Sequence, residues 1–159
     1  MPPAPPRPLR ARIADARVML ATPAIDVWVA TASAAGAPHL VPVSLAWVGE
    51  RAVIAVQARS VTARNLLTSG TARLGVGPTR DVVMIDAELD RSGTATDDPA
   101  LAAAYAAQAD WDPRDGDDYL YLVLRPVRMQ AWREANEIEG RTLMRGGRWL
   151  DPTEETMDA

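Results

Sequence analysis

Three apolar stretches, at residues 25–31, 38–48 and 51–58, follow one another with only Ser33-Ala34-Ala35-Gly36 and Gly49-Glu50 as punctuation between them. The first alternates polar and apolar residues and is rich in β-branched types, the pattern of a strand buried on one face. Turns this short leave no room for a crossover helix, so the first two stretches read as a hairpin and the third as a further strand. Pro42 interrupts the second stretch. It has no N–H to give to a ladder, which argues for an edge, a bulge or an opening in the sheet at that point.

The remainder of the chain extends the same plan. Residues 71–77 and 81–92 read as two more strands around Gly77-Pro78-Thr79-Arg80, and residues 119–133 as the longest strand, bent at Pro126. Helices are sparse. Leu9, Ile13, Ala16 and Leu20 recur at helical spacing, with Arg10, Arg12, Asp15 and Arg17 between them, and the helix ends before Pro23. A short helix over 61–69 has Ser60 as its N-cap, and an alanine-rich helix opens at Asp97-Asp98-Pro99 and runs to about residue 109. Residues 111–118 form an acidic loop and residues 134–150 read as irregular. Six strands without strand-helix-strand alternation predict a mainly β fold with peripheral helices, a six-stranded antiparallel barrel. The expected organisation is a proline-rich mobile tail over 1–8, one domain over 9–150 and a frayed tail over 151–159.

Composition narrows the chemistry. A chain of 159 residues can bury roughly two thirds of the surface its unfolded form exposes, enough for a real core. The net charge of −4 speaks against nonspecific attraction to nucleic acid or anionic lipid, so any anion site must be local. No cysteine is present and histidine occurs once, which removes thiolate chemistry and makes a zinc site improbable. All 17 basic residues are arginine, so lysine general bases and Schiff bases are unavailable. No apolar run reaches the roughly 20 residues of a membrane helix, and the expectation is a cytoplasmic protein that binds neither membrane nor nucleic acid.

A catalytic constellation is not evident. His39 has no acid or nucleophile at a recognisable spacing and reads as a strand residue. Asp86 and Glu88 share a strand face, as glycosidase carboxylates could, but such pairs are common on solvated faces. The acidic residues Asp110, Asp112, Asp115, Asp117 and Asp118 lack the glycine and glutamate positions of a calcium loop. Trp132 and Trp149, near Arg148, either stack on a ring or cover the core. The start of the 61–69 helix is the strongest candidate. Free N–H groups and the positive dipole end there favour an anion, and Arg59, Ser60, Thr62, Arg64 and Asn65 surround it with donors. The bland alternative stands beside it: Ser60 caps the helix and the arginines are solvated.

Gly36-Ala37-Pro38-His39-Leu40-Val41-Pro42-Val43, the third strand, and then Ser60 to Leu66 ending in Arg64-Asn65-Leu66 together resemble the pyridoxamine 5'-phosphate oxidase-like superfamily of FMN-binding split β-barrels. The likeness is nearer to its branch of flavin- and deazaflavin-dependent oxidoreductases. It implies a homodimer with two cofactor sites at the subunit interface. On that reading Val41, Pro42 and Val43 face the ring, and Val56 and Gln57 line the third-strand side. Ser60, Thr62, Arg64 and Asn65 would hold the phosphate, and Arg80 would reach in from the other subunit. The sequence departs from the family at Val61 and Thr62, where basic residues are frequent; Arg59 is placed to compensate. The implied cofactor is coenzyme F420, favoured by the surplus arginines, with FMN as the alternative. The implied activity is hydride transfer from reduced F420 to a small electrophilic substrate. An FMN-dependent oxidoreductase, or a carrier of flavin, deazaflavin or haem without turnover, are the rivals.

Overall fold

The computed structural model describes residues 4–153, and parts of both expected tails, 1–3 and 154–159, lie outside that range. Nine strands form one antiparallel sheet: β1 (Asp26–Ala32), β2 (Pro38–Ser44), β3 (Ala46–Val48), β4 (Arg51–Gln57), β5 (Thr71–Val76), β6 (Val82–Gly93), β7 (Tyr119–Trp132), β8 (Thr142–Arg145) and β9 (Arg148–Trp149). Neighbours run β2-β1-β5-β6-β7-β4-β3, with β8 on β7 and β9 on β8. Three helices flank it: α1 (Leu9–Leu20), α2 (Val61–Ser69) and α3 (Pro99–Ala109).

The long run at 38–48 is two strands rather than one. Leu45 breaks it, donating its N–H to the Ile25 carbonyl at 3.0 Å. The consequence is topological. β2 and β3 are the two ends of the sheet path, yet a single residue joins them, so the sheet must curl until its edges meet. It does so as a half-barrel, split where β2 faces β4 without a ladder between them. Pro42 sits opposite Trp28 on this edge strand, where its missing N–H costs no ladder bond.

β4 explains why its sequence, RAVIAVQ, is apolar without alternation. Ala52, Ile54 and Val56 enter the main core with Leu20, Val27, Val29, Leu66, Leu74 and Ile85. Val53 and Ala55 enter a second core formed with Leu101, Ala102, Tyr105 and Tyr121 beneath α3. A strand buried on both faces reads as a continuous apolar run. Near Pro126 the β6–β7 register shifts, with Asp86 opposite Arg128 and Ala87 opposite Pro126, so Val127 is an extra residue and the strand bends.

The helices begin and end for local reasons. Ser60 Oγ accepts the Ala63 N–H at 3.1 Å, and Gly70 closes α2 in the left-handed region at φ 71°. Asp98 Oδ1 accepts the Leu101 N–H at 3.0 Å, with Pro99 in the first turn of α3. Gly77 is obligatory: at φ 86°, an added Cβ would lie 2.4 Å from the Asp81 carbonyl oxygen and 2.8 Å from Met19 Sδ.

Two further parts of the chain differ from the sequence expectation. Residues 134–150 are not wholly irregular, because β8 and β9 pair there across Gly146-Gly147. With the split of 38–48, this raises the strands from six to nine among the described residues. Arg12 is not on the solvated side of α1 but buried. Its guanidinium donates to the carbonyls of Arg7 at 2.8 Å and Glu137 at 3.0 Å, so its charge is met by backbone oxygens. Arg7 itself grips the Glu137 carboxylate through Nε and Nη2 at 2.8 and 2.7 Å.

Candidate functional site

The split between β2 and β4 is a cavity of about 490 Å³, within the size range of small-molecule sites. Its wall on one side is the inward face of β2: His39, Val41 and Val43, which lie opposite Thr31, Val29 and Val27 of β1. The other side is the end of β4, with Ala55, Val56 and Gln57. Ser60, Val61 and Thr62 at the start of α2 form one end, and Trp111 and Tyr119 complete the rim. The walls are mostly apolar or aromatic, with polar groups at the helix start and at His39, Ser44 and Gln57.

That helix start is an electropositive end. The Ser60 hydroxyl takes the Ala63 N–H and the Ser60 carbonyl takes the Arg64 N–H, which leaves the Val61 and Thr62 amides without an intrahelical acceptor. Arg59 and Arg64 are exposed on either side of it, and among the described residues neither lies within 4 Å of a carboxylate. Asn65 is turned the other way. It is 4% exposed and donates Nδ2 to Thr31 Oγ1 at 3.0 Å, so it ties α2 to β1 beneath the cavity.

The structure therefore brings Val41, Val43, Val56, Gln57, Ser60 and Thr62 around one space, with Arg59 and Arg64 beside it. Pro42 shares the β2 backbone but projects to the opposite, exposed face, opposite Trp28. Arg80 stands apart in the turn before β6, in a solvent-exposed ion pair with Glu134 at 2.7 Å.

Ser44, Ala55, Trp111 and Tyr119 line the cavity without having been singled out in the sequence, and the two aromatics come from far along the chain. Tyr119 pairs with Gln57 across β4 and β7, and the Trp111 ring packs edge-on against it with centroids 5.3 Å apart. Tyr105 continues this aromatic cluster, T-shaped to both Trp111 and Tyr121. Its hydroxyl donates to the Ser44 carbonyl at 3.2 Å, and burial pushes its pKa up to about 12, so it stays neutral and fixes the end of β2. The only sequence signal for Trp111 was its place just ahead of the longest strand.

The other candidates have structural partners. Asp86 pairs with Arg73 at 2.9 Å, and Glu88 with Arg125, on the outer sheet face. Asp112 is held by Arg114 at 2.6 Å. Trp149 donates Nε1 to Glu50 at 2.9 Å and lies under the Arg17 guanidinium. Trp132 faces Arg141, whose Cζ is 5.5 Å from the ring centroid. His39 alone of these lines the cavity.

No family model matches the sequence, and no curated protein matches it. Solved structures do. An F420 reductase superposes with a TM-score of 0.58 at 18% identity, covering 70% of this chain and 94% of its own. A haem-binding protein from Mycobacterium smegmatis gives 0.64 at 22% identity, covering 92% of this chain, which spans 60% of that one. A pyridoxamine 5'-phosphate oxidase-related FMN-binding protein from Nostoc punctiforme gives 0.54 at 18% identity, covering 79% and 83% of the two chains. The chain thus has the fold of the pyridoxamine 5'-phosphate oxidase-like proteins.

Proposed function

We propose that the β2–β4 cavity binds coenzyme F420 and that the protein is an F420H2-dependent reductase of small electrophilic substrates, working as a homodimer. The observation that carries this reading is the cavity itself: largely apolar walls from two strands, ending at a helix start with two amides free of intrahelical acceptors and, beside it, two arginines with no carboxylate within 4 Å among the described residues. A deazaflavin bound there would supply the hydride chemistry that no side chain of this protein offers. Val41, Val43 and Val56 would contact the ring and keep water from it, with Trp111 and Tyr119 closing the rim. Ser60, Thr62 and the α2 amides would hold the phosphate, with Arg59 and Arg64 answering the further anionic groups of the tail. These two arginines replace the basic side chains absent at positions 61 and 62. Solvent can supply the proton.

The dimer belongs to the same proposal. Trp28 and Leu40 are 52% and 60% exposed on the outer face of β1 and β2, beside Pro42, and a second copy would cover them. Arg80 would then act across the interface, on the cavity of the other subunit.

Titrating the purified protein with F420 and with FMN, followed by fluorescence, tests the assignment. Tighter F420 binding supports it; micromolar FMN binding with no F420 binding makes the protein an FMN-dependent enzyme instead. A second reading has one specific observation in its favour. His39 points into the cavity, and a haem-binding protein shares the fold, so His39 is a candidate axial ligand in a haem carrier without turnover. A Soret band in freshly purified protein, lost in His39→Ala, would establish that reading and remove the first.

A further inference from the structure

A second cavity, of about 700 Å³, opens between β7, β8 and the segment that follows β7. It shares no lining residue with the first and lies eleven residues further along β7, from Tyr119 to Gln130, roughly 35 Å of strand at the usual rise. At its base is Gln130, 6% exposed. With its amide oriented so that the oxygen meets the donors, Gln130 accepts from Arg141 Nε at 3.2 Å and from Arg128 Nη2 at 2.8 Å. Two guanidiniums thus converge on one neutral oxygen. Arg145 lines the same space.

Convergence of like charges is unfavourable unless something answers it. Among the described residues no carboxylate lies within 4 Å of Arg141 or Arg145, and Arg128 has only a loose approach to Asp86 at 3.9 Å. Glu139 and Asp151 also line the cavity but pair with none of the three. Asp151 accepts instead from Thr153, through N at 2.9 Å and Oγ1 at 2.7 Å. Arg141 is further fixed by stacking over Trp132. Arg128 and Arg141 are thus held in place by Gln130, with Arg145 exposed beside them. Leu9, Ile138 and Leu150 add an apolar wall.

We propose that this cavity is a second ligand site, for a small organic anion whose carboxylate or phosphate head sits between Arg128, Arg141 and Arg145. The site does not depend on the reading of the β2–β4 cavity. Calorimetric titration of the full chain with succinate and, separately, with inorganic phosphate tests it. One anion per chain with a dissociation constant on the order of 1 mM is expected, and the better probe identifies the head group. Arg141→Gln and Arg145→Gln should each weaken binding about fivefold to tenfold. Gln130→Glu supplies an internal anion between the guanidiniums and should abolish it. Arg10→Gln, on exposed α1 surface, should change nothing. FMN and F420 titrations of Arg141→Gln should match those of the native protein, which separates failure here from failure of the cofactor reading. Failure of both probes to bind at about 20 mM, or native affinity in Arg141→Gln or Gln130→Glu, overturns the proposal.

Discussion

Glu137 and the start of α2 show two opposite uses of charge in one small domain. Glu137 is 3% exposed and fully engaged: its carboxylate accepts from Arg7 N, Nε and Nη2 and from the Arg133 N–H, while its carbonyl accepts from Arg12. At α2 the amides of Val61 and Thr62 lie at an open cavity with Arg59 and Arg64 beside it, and among the described residues no carboxylate lies within 4 Å of either guanidinium. A buried charge must be matched within the protein, because desolvation is costly. A charge at a cavity mouth can stay hydrated until a ligand arrives. The difference separates residues that hold the fold from residues available for binding.

The comparison predicts its largest effect at Glu137. Glu137→Ala leaves Arg7 with Asp15 alone and opens a buried gap, and should lower unfolding free energy by about 3 kcal/mol, measured by urea denaturation. Hydrogen bonds from Arg7 bring the Glu137 pKa from its ordinary 4.5 down to about 2, outweighing burial, which pushes it up. A carboxylate whose folded pKa is depressed stabilises fully above its unfolded value. That stability is lost as pH falls from about 4.5 towards 2. Glu137→Gln should remove this acid-range slope while leaving the midpoint at pH 7 below native. A native slope in that variant would show that the clasp does not behave as a single ionised unit.

Arg64→Ala is the converse case. It should leave the unfolding midpoint within about 0.5 kcal/mol of native, since the side chain is exposed and unpaired. Cofactor affinity should fall about tenfold, read from the same fluorescence titration. Unchanged affinity would return the arginine to the solvated surface. Ser60→Ala combines both roles at smaller scale. Loss of the Ala63 cap should cost about 1 kcal/mol of stability, accompanied by a loss of cofactor affinity smaller than that of Arg64→Ala.

Much of this was legible in the sequence, and the exceptions have physical causes. The start of α2 followed from Ser60, a local signal that acts within one turn. Pro42 announced an edge, a bulge or an opening, because a missing N–H is a property of one residue, and the structure makes β2 an edge strand. β8 and β9, four and two residues long, are too short for periodicity to register; Gly146 and Gly147, both with positive φ, were the one usable hairpin signal. Val41, Val43 and Val56 were named through the family resemblance and Ser60 also from the helix start, and the structure brings them around one space from elements close together in the chain. Trp111 and Tyr119 were not, because the β4–β7 pairing brings them there from more than fifty residues away, and only a register between distant strands specifies that. Arg12 was misplaced for a related reason: helical spacing marks a face but not the carbonyls waiting opposite it.

Tyr121 lies between the two cases and gives the smallest and sharpest test of the comparison. Its ring is 2% exposed and packs edge-on against Tyr105 at 5.5 Å, while its hydroxyl is buried without a hydrogen-bond partner. Burial raises its pKa, so the group is neutral, and no charge is at stake. If satisfaction of buried polar groups is what distinguishes Glu137 from the α2 site, removing this unsatisfied hydroxyl should cost nothing. Tyr121→Phe keeps the ring contact and discards only the orphan group, so unfolding free energy should be unchanged or raised by up to about 1 kcal/mol. A loss of more than about 1 kcal/mol in urea denaturation would mean that the hydroxyl has a partner in solution, such as an ordered water, and that the line between matched and unmatched groups is drawn there too.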